Sequence, residues 1–233
     1  MSTKTIESKV TTKKTDVKKI TILAMFAALG YICLFVFRFK VSFLTLEFKD
    51  VFITMAGFVF GPVAALGVAL AESLLEMVKL SDTGFWGALM NFAGSATFAV
   101  TAAVIYMYNK SFKGAVIGLT AAVFSMTAVM LLMNLLITPI YAHTDVKTVI
   151  GMIIPLLLPF NLIKSVLNAA IAFILYKPIS QALKSIHLLP KKDDDFKVGK
   201  KSVIGLVIAS CIIIISIAVV LMVFKGNFEI IRS

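Results

Sequence analysis

The stretch LPFNLIKSVLNAAIAFILYKPI (158–179) is a long apolar run with polar side chains near its start. Asn161 and Lys164 are three residues apart, so on a helix they share one face, with Cβ atoms about 5–6 Å apart. A charged group at the centre of a bilayer costs about 2.5–3.5 kcal/mol on insertion scales. This cost predicts that both side chains face a buried ligand pocket. The alternatives are snorkelling of Lys164 to the surface and packing of Asn161 against another helix.

The rest of the chain has the composition of an integral membrane protein. Of its 233 residues 60% are hydrophobic, and several apolar runs reach the roughly 20 residues that a membrane-spanning helix needs. The net charge of +11 does not indicate nucleic-acid binding, because most Lys and Arg residues lie in the tails and short loops. With the N-terminus inside, fifteen of the 23 basic residues fall in cytoplasmic segments, as the positive-inside rule requires. We therefore predict a multi-pass protein whose surroundings are the lipid bilayer, with no nucleic-acid partner.

The apolar runs divide the chain into four parts. Residues 1–19 lack apolar periodicity and are predicted to form a mobile cytoplasmic tail. Residues 20–179 are predicted to form an all-α bundle of six helices that binds the substrate. A basic cytoplasmic linker at 180–202 and an additional, lipid-facing transmembrane helix at 203–224 complete the prediction. Within the bundle, residues 51–60 end at Gly61-Pro62, which predicts one short or broken helix.

Two loops are predicted at the outer face, where the polar ends of the fifth and sixth spans also lie. Polar and apolar residues alternate through 38–49, which predicts an extended segment or a small hairpin before the helix cap Asp50. The second loop covers 138–155. Glu72 and Glu76, four residues apart, are predicted to lie at the solvated outer end of a helix.

The polar residues within the spans suit binding better than catalysis. The chain has no HExxH, GxSxG or GxxxxGK[ST] motif, so no enzymatic activity is predicted. Amides and an amine donate and accept hydrogen bonds without reacting, which fits a planar heterocycle with carbonyl and N–H groups. Aromatic side chains are available to enclose its rings, namely Phe43, Phe48, Phe92 and Phe160. The alternatives are an intramembrane enzyme that uses Glu72 or Asp50, and a structural or assembly protein without a ligand.

Three further stretches join the first in a family resemblance: FKDVFITMAGFVFGPVAAL (48–66), GALMNFAGSATF (87–98) and MNLLITPIY (133–141). With them, residues 20–178 resemble an S-component of the energy-coupling factor (ECF) vitamin transporters, most closely the riboflavin-binding branch. The resemblance implies a six-helix fold in the bacterial plasma membrane, with a vitamin pocket near the outer face. It also implies an ECF transmembrane coupling subunit and two cytoplasmic ATPases as partners. No cofactor is expected beyond the bound ligand, riboflavin or a related vitamin.

The resemblance also assigns roles to individual residues. Asn134, Asn161 and Lys164 match the positions that hydrogen-bond the flavin, and Asn91 and Thr45 complete the predicted substrate-binding set. Ala24 and Ala28 match the small-residue pattern by which the first span meets the coupling subunit. From the residues alone, ordinary packing within the bundle is the alternative for these two alanines.

The chain departs from the riboflavin-binding pattern at three places. Glu72-Ser73 stand where riboflavin S-components usually carry Lys-Asn, and Asn134-Leu135 stand where they usually carry Asn-Tyr. Lys49 stands where they carry Ser. Another vitamin, of the pyridoxine or pantothenate type, therefore remains an alternative ligand.

Overall fold

The computed structural model describes residues 3–41, 43–79, 84–185, 208–211, 213–216, 218 and 229–230. The fold is an all-α bundle, as predicted, and four of its helical segments are long and apolar enough to cross a membrane. The helices are α1 (Thr3–Val36), α2 (Asp50–Phe60), α3 (Pro62–Lys79), α4 (Gly84–Tyr108), α5 (Phe112–Ala142), α6 (Val146–Met152) and α7 (Leu158–Ser185).

The predicted short helix is α2. Its 11 residues make about 16 Å of helix, which is too short to cross the hydrocarbon core. The helix stops at Gly61, whose φ of 93° is a conformation that favours glycine, and α3 begins at once with Pro62. The side chains from Ile53 to Phe58 are all buried, so this short helix lies inside the bundle and is shielded from lipid.

The sixth span begins earlier than predicted. Helix α5 continues through Pro139 to Ala142, and α6 begins at Val146, so the outer loop expected at 138–155 shrinks to residues 143–145. A π-helical turn, Ile153–Leu157, then joins α6 to α7. This turn contains Pro155, which has no N–H to donate to the helical ladder. Wide turns of this kind recur at functional sites, and this one ends three residues before Phe160.

The segment at 38–49 forms the predicted hairpin. Strand β1 (Phe39–Val41) pairs antiparallel with β2 (Leu44–Leu46), with Lys40 opposite Thr45. A third strand that the sequence did not predict, β3 (Glu229–Ile230), pairs with the other edge of β1 and places Glu229 opposite Lys40. Residues 229–230 therefore lie at the same end of the bundle as the hairpin.

The predicted terminal segments need three corrections. Helix α1 begins at Thr3, so residues 3–19 are helical rather than irregular. Helix α7 continues to Ser185, so the start of the predicted linker is helical, while the rest of the linker, 186–202, lies outside the described residues. The helical residues between 208 and 218 turn Ala209, Ile213 and Ser216 toward the bundle. This additional helix is therefore packed on the protein and not purely lipid-facing.

The buried side chains form two clusters at different depths. The larger one joins α1 to α5 with α7. At its end away from the hairpin, the rings of Phe58, Tyr106 and Tyr176 pack edge to face or tilted, with centroids 4.5–5.5 Å apart. The smaller cluster lies beneath the hairpin and consists of Leu44, Leu46, Val149, Leu157, Phe160 and Leu167. The hairpin is thus fixed to α6 and α7 by apolar contacts. This places it over the C-terminal ends of α3 and α5 and the N-terminal end of α4.

Candidate functional site

A cavity of about 80 Å³ lies beneath the hairpin. Its wall combines the hairpin with α3, α4, α5 and α7, which are far apart in sequence. The lining residues are Arg38, Phe43, Leu44, Thr45, Glu76, Gly87, Met90, Asn91, Met130, Tyr141, Phe160, Asn161 and Lys164. The wall therefore combines amide, cationic, acidic and aromatic side chains.

Four of the five predicted substrate-binding residues line this cavity: Thr45, Asn91, Asn161 and Lys164. The fifth, Asn134, is fully buried on α5 but is not part of the cavity wall. Its side-chain nitrogen donates to the Met130 carbonyl at 2.7 Å, and its oxygen accepts from Thr138 at 3.1 Å. Of the aromatic residues expected around the ligand, Phe43 and Phe160 line the cavity, whereas Phe48 and Phe92 do not.

Lys164 is held under the hairpin. Its Nζ donates to Glu47 Oε1 at 3.0 Å and to the Thr45 carbonyl at 3.3 Å. Only 6% of Lys164 is exposed, so the lysine does not snorkel to the surface. One turn before it, Asn161 Nδ2 donates to the Leu157 carbonyl, the last residue of the π-helical turn, at 2.8 Å.

A buried chain of charged groups runs from Lys164 to Asn91. Glu47 Oε1 also lies 3.4 Å from Lys49 Nζ, and this lysine donates in turn to Glu76 Oε2. The other oxygen of Glu76 accepts from Asn91 Nδ2 at 2.6 Å. The network therefore connects α7, the exit of the hairpin, α3 and α4 around one side of the cavity.

Sequence reasoning did not find Glu47, Lys49 or Glu76 as parts of the site. For Glu47 and Lys49 the sequence held a signal, since these two charged residues directly precede a helix that is apolar apart from Asp50 and Thr54. Burial alone would raise the pKa of Glu47, but the attraction of Lys164 and Lys49 is stronger and holds that pKa well below its ordinary value. Glu47 is therefore ionised at neutral pH and anchors both lysines.

The prediction that Glu72 and Glu76 lie at a solvated helix end is wrong, since each is only 1% exposed. Glu76 lines the cavity, whereas the carboxyl group of Glu72 lies against α1 at Gly30. Asp50 is buried too, and its Oδ1 accepts a hydrogen bond from Ser95. Neither Asp50 nor Glu72 is part of the cavity wall, which an enzyme using these carboxylates would require.

Ala24 and Ala28 lie on the exposed face of α1. Helical neighbours on the other side, Ile22 and Phe26, point into the core. Packing within the bundle therefore does not explain the two alanines, which leave a flat strip on the outside of the first span.

Comparison with known proteins gives consistent matches. The model of the family described as "ECF transporter, substrate-specific component" matches residues 18–176. The chain is 32% identical over 180 residues to the riboflavin transporter RibU of Staphylococcus aureus, covering 72% of this chain and 94% of that protein. It is 26% identical over 190 residues to the riboflavin transporter FmnP of Bacillus subtilis, covering 74% and 98%. A solved structure of the S component of a bacterial ECF transporter superimposes with a TM-score of 0.62 at 32% identity, covering 72% of this chain and 99% of that one.

Proposed function

The chain belongs to the family of substrate-specific components of ECF transporters, and we propose that it is the riboflavin-binding subunit of such an importer. As a family member with four apolar helical segments, it is a multi-pass protein of the bacterial plasma membrane. The vitamin enters from the outer face and leaves on the inner face. In this proposal riboflavin is the transported ligand, and the subunit uses no cofactor.

One observation carries the proposal: Asn91, Asn161 and Lys164 converge on a single cavity in a chain 32% identical to a riboflavin transporter. The polar edge of a flavin ring alternates carbonyl and N–H groups, which amide and ammonium groups complement. Lys164 has three N–H donors, and two of them bond to protein acceptors. The third donor is available to a ligand carbonyl. Phe43 and Phe160 supply apolar surface for the rings.

Binding requires the cavity to open. Its volume of about 80 Å³ is smaller than the roughly 300–1,000 Å³ of typical ligand pockets. The hairpin covers the cavity and is tied to α7 through the contacts of Lys164 with Thr45 and Glu47. Outward movement of the hairpin, with exchange of one Lys164 contact for the ligand, is the simplest way to enlarge the pocket.

Membership of the family implies assembly with other ECF subunits. For this chain we propose a transmembrane coupling subunit and two cytoplasmic ATPases as the partners. The exposed strip of Ala24 and Ala28 on α1 supports this proposal, because small residues allow a partner helix to approach closely.

The test is a binding titration with the purified protein. Mass spectrometry first identifies any copurified small molecule, and quenching of riboflavin fluorescence then gives the affinity. Loss of a hydrogen bond from a charged donor costs about 1.5–3 kcal/mol, so Lys164→Met is expected to weaken binding by roughly 10- to 150-fold. Lys110→Met, on an exposed turn, is the matched control, and Asn161→Ala is compared with Asn109→Ala in the same way.

Three results would contradict the proposal. A preparation that neither contains riboflavin nor quenches its fluorescence would remove riboflavin as the ligand while leaving the family unchanged. Tight binding of pyridoxine or pantothenate would assign the cavity to one of the alternative vitamins. Equal affinity of the Lys164→Met and Lys110→Met proteins would remove Lys164 from the site.

A further inference from the structure

We propose that Glu72 is a proton-binding site, and that it carries a proton as a neutral carboxylic acid while the protein is folded and free of ligand. Nothing in the proposed transport function assigns a role to this residue. It lies outside the cavity wall, on the side of α3 that faces α1.

The first observation is the isolation of its carboxyl group. Glu72 is 1% exposed, and neither Oε1 nor Oε2 has a hydrogen-bond partner. The group is pressed against α1, since a Cβ atom added to Gly30 would lie only 2.1 Å from Oε1. Glycine at position 30 therefore leaves the space that this carboxyl group fills.

The second observation is the shortage of cations around it. The lysine nearest to Glu72, Lys49, is already bound by Glu47 and Glu76. Lys164 is bound by Glu47. The remaining charged neighbour is Asp50 on α2, which is acidic, and the titratable group on α1 is the thiol of Cys33.

These two observations decide the protonation state. An ionised carboxylate without a partner is very unfavourable in a low-dielectric interior, and the usual response of such a group is to take up a proton. Four carboxyl groups, those of Glu47, Asp50, Glu72 and Glu76, surround a region that holds two lysines, and the one further cation beside them among the described residues, Arg38, acts on Glu47. In the described part of the chain, Asp50 and Glu72 both lack an ion pair with these lysines, but Asp50 accepts a hydrogen bond from Ser95. Neither oxygen of Glu72 has a hydrogen-bond partner, so Glu72 is the group that holds the proton, taken from solvent when the protein folds.

The site has a structural consequence for α1. Loss of the proton would place a negative charge directly against the α1 backbone at Gly30. The expected effect is weaker packing between α1 and α3, the helix pair on whose outer side Ala24 and Ala28 lie. The proton therefore acts as a ligand that keeps the first span in place.

The direct test is infrared spectroscopy of ligand-free protein in which all glutamates carry 13C. The chain has five glutamates, at positions 7, 47, 72, 76 and 229. We expect a labelled carbonyl band of a neutral carboxylic acid at neutral pH. The band should be absent in Glu72→Gln and present in Glu76→Gln, the matched control one turn away. If the amide is not tolerated, Glu72→Met provides the same subtraction.

The proposal is overturned if wild-type protein shows no neutral-acid band at neutral pH, a result that needs no variant. It is also overturned if the band survives substitution of Glu72. A second measurement uses melting temperature against pH. The side chain in Glu72→Gln cannot ionise, so the melting temperature of this variant relative to wild type should increase as the pH rises. A difference in melting temperature that does not change with pH would contradict proton binding. Because ligand is absent throughout, failure here is separate from failure of the riboflavin assignment.

Discussion

The contact between Lys164 and Glu47 makes a quantitative prediction about stability. The two groups are 3.0 Å apart, with 8% and 1% of their side chains exposed, and they join α7 to the exit of the hairpin. Removing one partner of a buried ion pair costs about 3–5 kcal/mol, because the other charge is left buried. In Lys164→Met, Glu47 still has Lys49 at 3.4 Å as a partner. We therefore expect this substitution to lower the free energy of unfolding by an amount near the lower limit, about 3 kcal/mol.

The measurement is a double-mutant cycle in ligand-free protein. Lys164→Met, Glu47→Gln and the double variant are melted in one detergent at one scan rate, and the fluorescence of Trp86, the only tryptophan, reports unfolding. For a chain of this size 1 kcal/mol shifts the melting temperature by about 2–4 °C. Each single variant should therefore melt roughly 6–12 °C lower than wild type. The double variant should fall short of the summed losses by about 2 kcal/mol, within the range of directly contacting residues.

Two outcomes would refute this reasoning. Additivity of the single losses within about 0.5 kcal/mol would show that the two groups do not interact energetically. Melting of Lys164→Met at the temperature of the exposed control Lys110→Met would show that the buried contact contributes nothing to the fold.

Three further predictions concern other parts of the molecule. Gly30→Ala should destabilise the protein by about 1–3 kcal/mol, because the added methyl group meets the Glu72 carboxyl group. The same substitution should destabilise a Glu72→Ala protein less, and equal losses in thermal melts would contradict the contact. Because pairing lowers the pKa of Glu47 from 4.5, its contribution is complete above pH 4.5 and is lost as the pH falls through the lowered pKa. The melting temperature of wild type should therefore fall more steeply below pH 4.5 than that of Glu47→Gln. Parallel curves of melting temperature against pH for the two proteins would contradict the pairing of Glu47. Deletion of residues 229–233 removes β3 and should speed riboflavin dissociation in stopped-flow fluorescence, because the hairpin loses one pairing edge; unchanged rates would show that β3 does not restrain it.

The sequence predicted the parts of the fold that depend on local pattern. Length and apolarity identified the spans, the Gly61-Pro62 break identified α2, and the period-2 alternation identified the hairpin. It did not predict the continuation of helix through Pro139 and Pro155, because a proline signals a break whereas neighbouring turns and a π-helical turn accommodate it here.

Prediction of the candidate site was limited by tertiary pairing. Asn161 and Lys164 were found because polar groups within an apolar run are conspicuous. Glu72 and Glu76 were wrongly predicted to be solvated, because two glutamates four residues apart near a helix end (ESLLE, 72–76) give the same pattern whether they are exposed or buried. The contacts of Glu76 with Lys49, 27 residues away, and with Asn91, 15 residues away, distinguish the two cases, and spacing along the chain does not reveal them.

The pairing of β3 with β1 bears on the order in which the protein is made. Strand β1 is synthesised among the first 41 residues, but its partner Glu229–Ile230 follows about 190 residues later. A contact across that length of chain closes late, because the loop between the strands must first be ordered. The three-stranded sheet is therefore complete only after α1 to α7 have been synthesised, so a translation product that stops before residue 229 would contain these helices yet leave the cover of the cavity without its third strand.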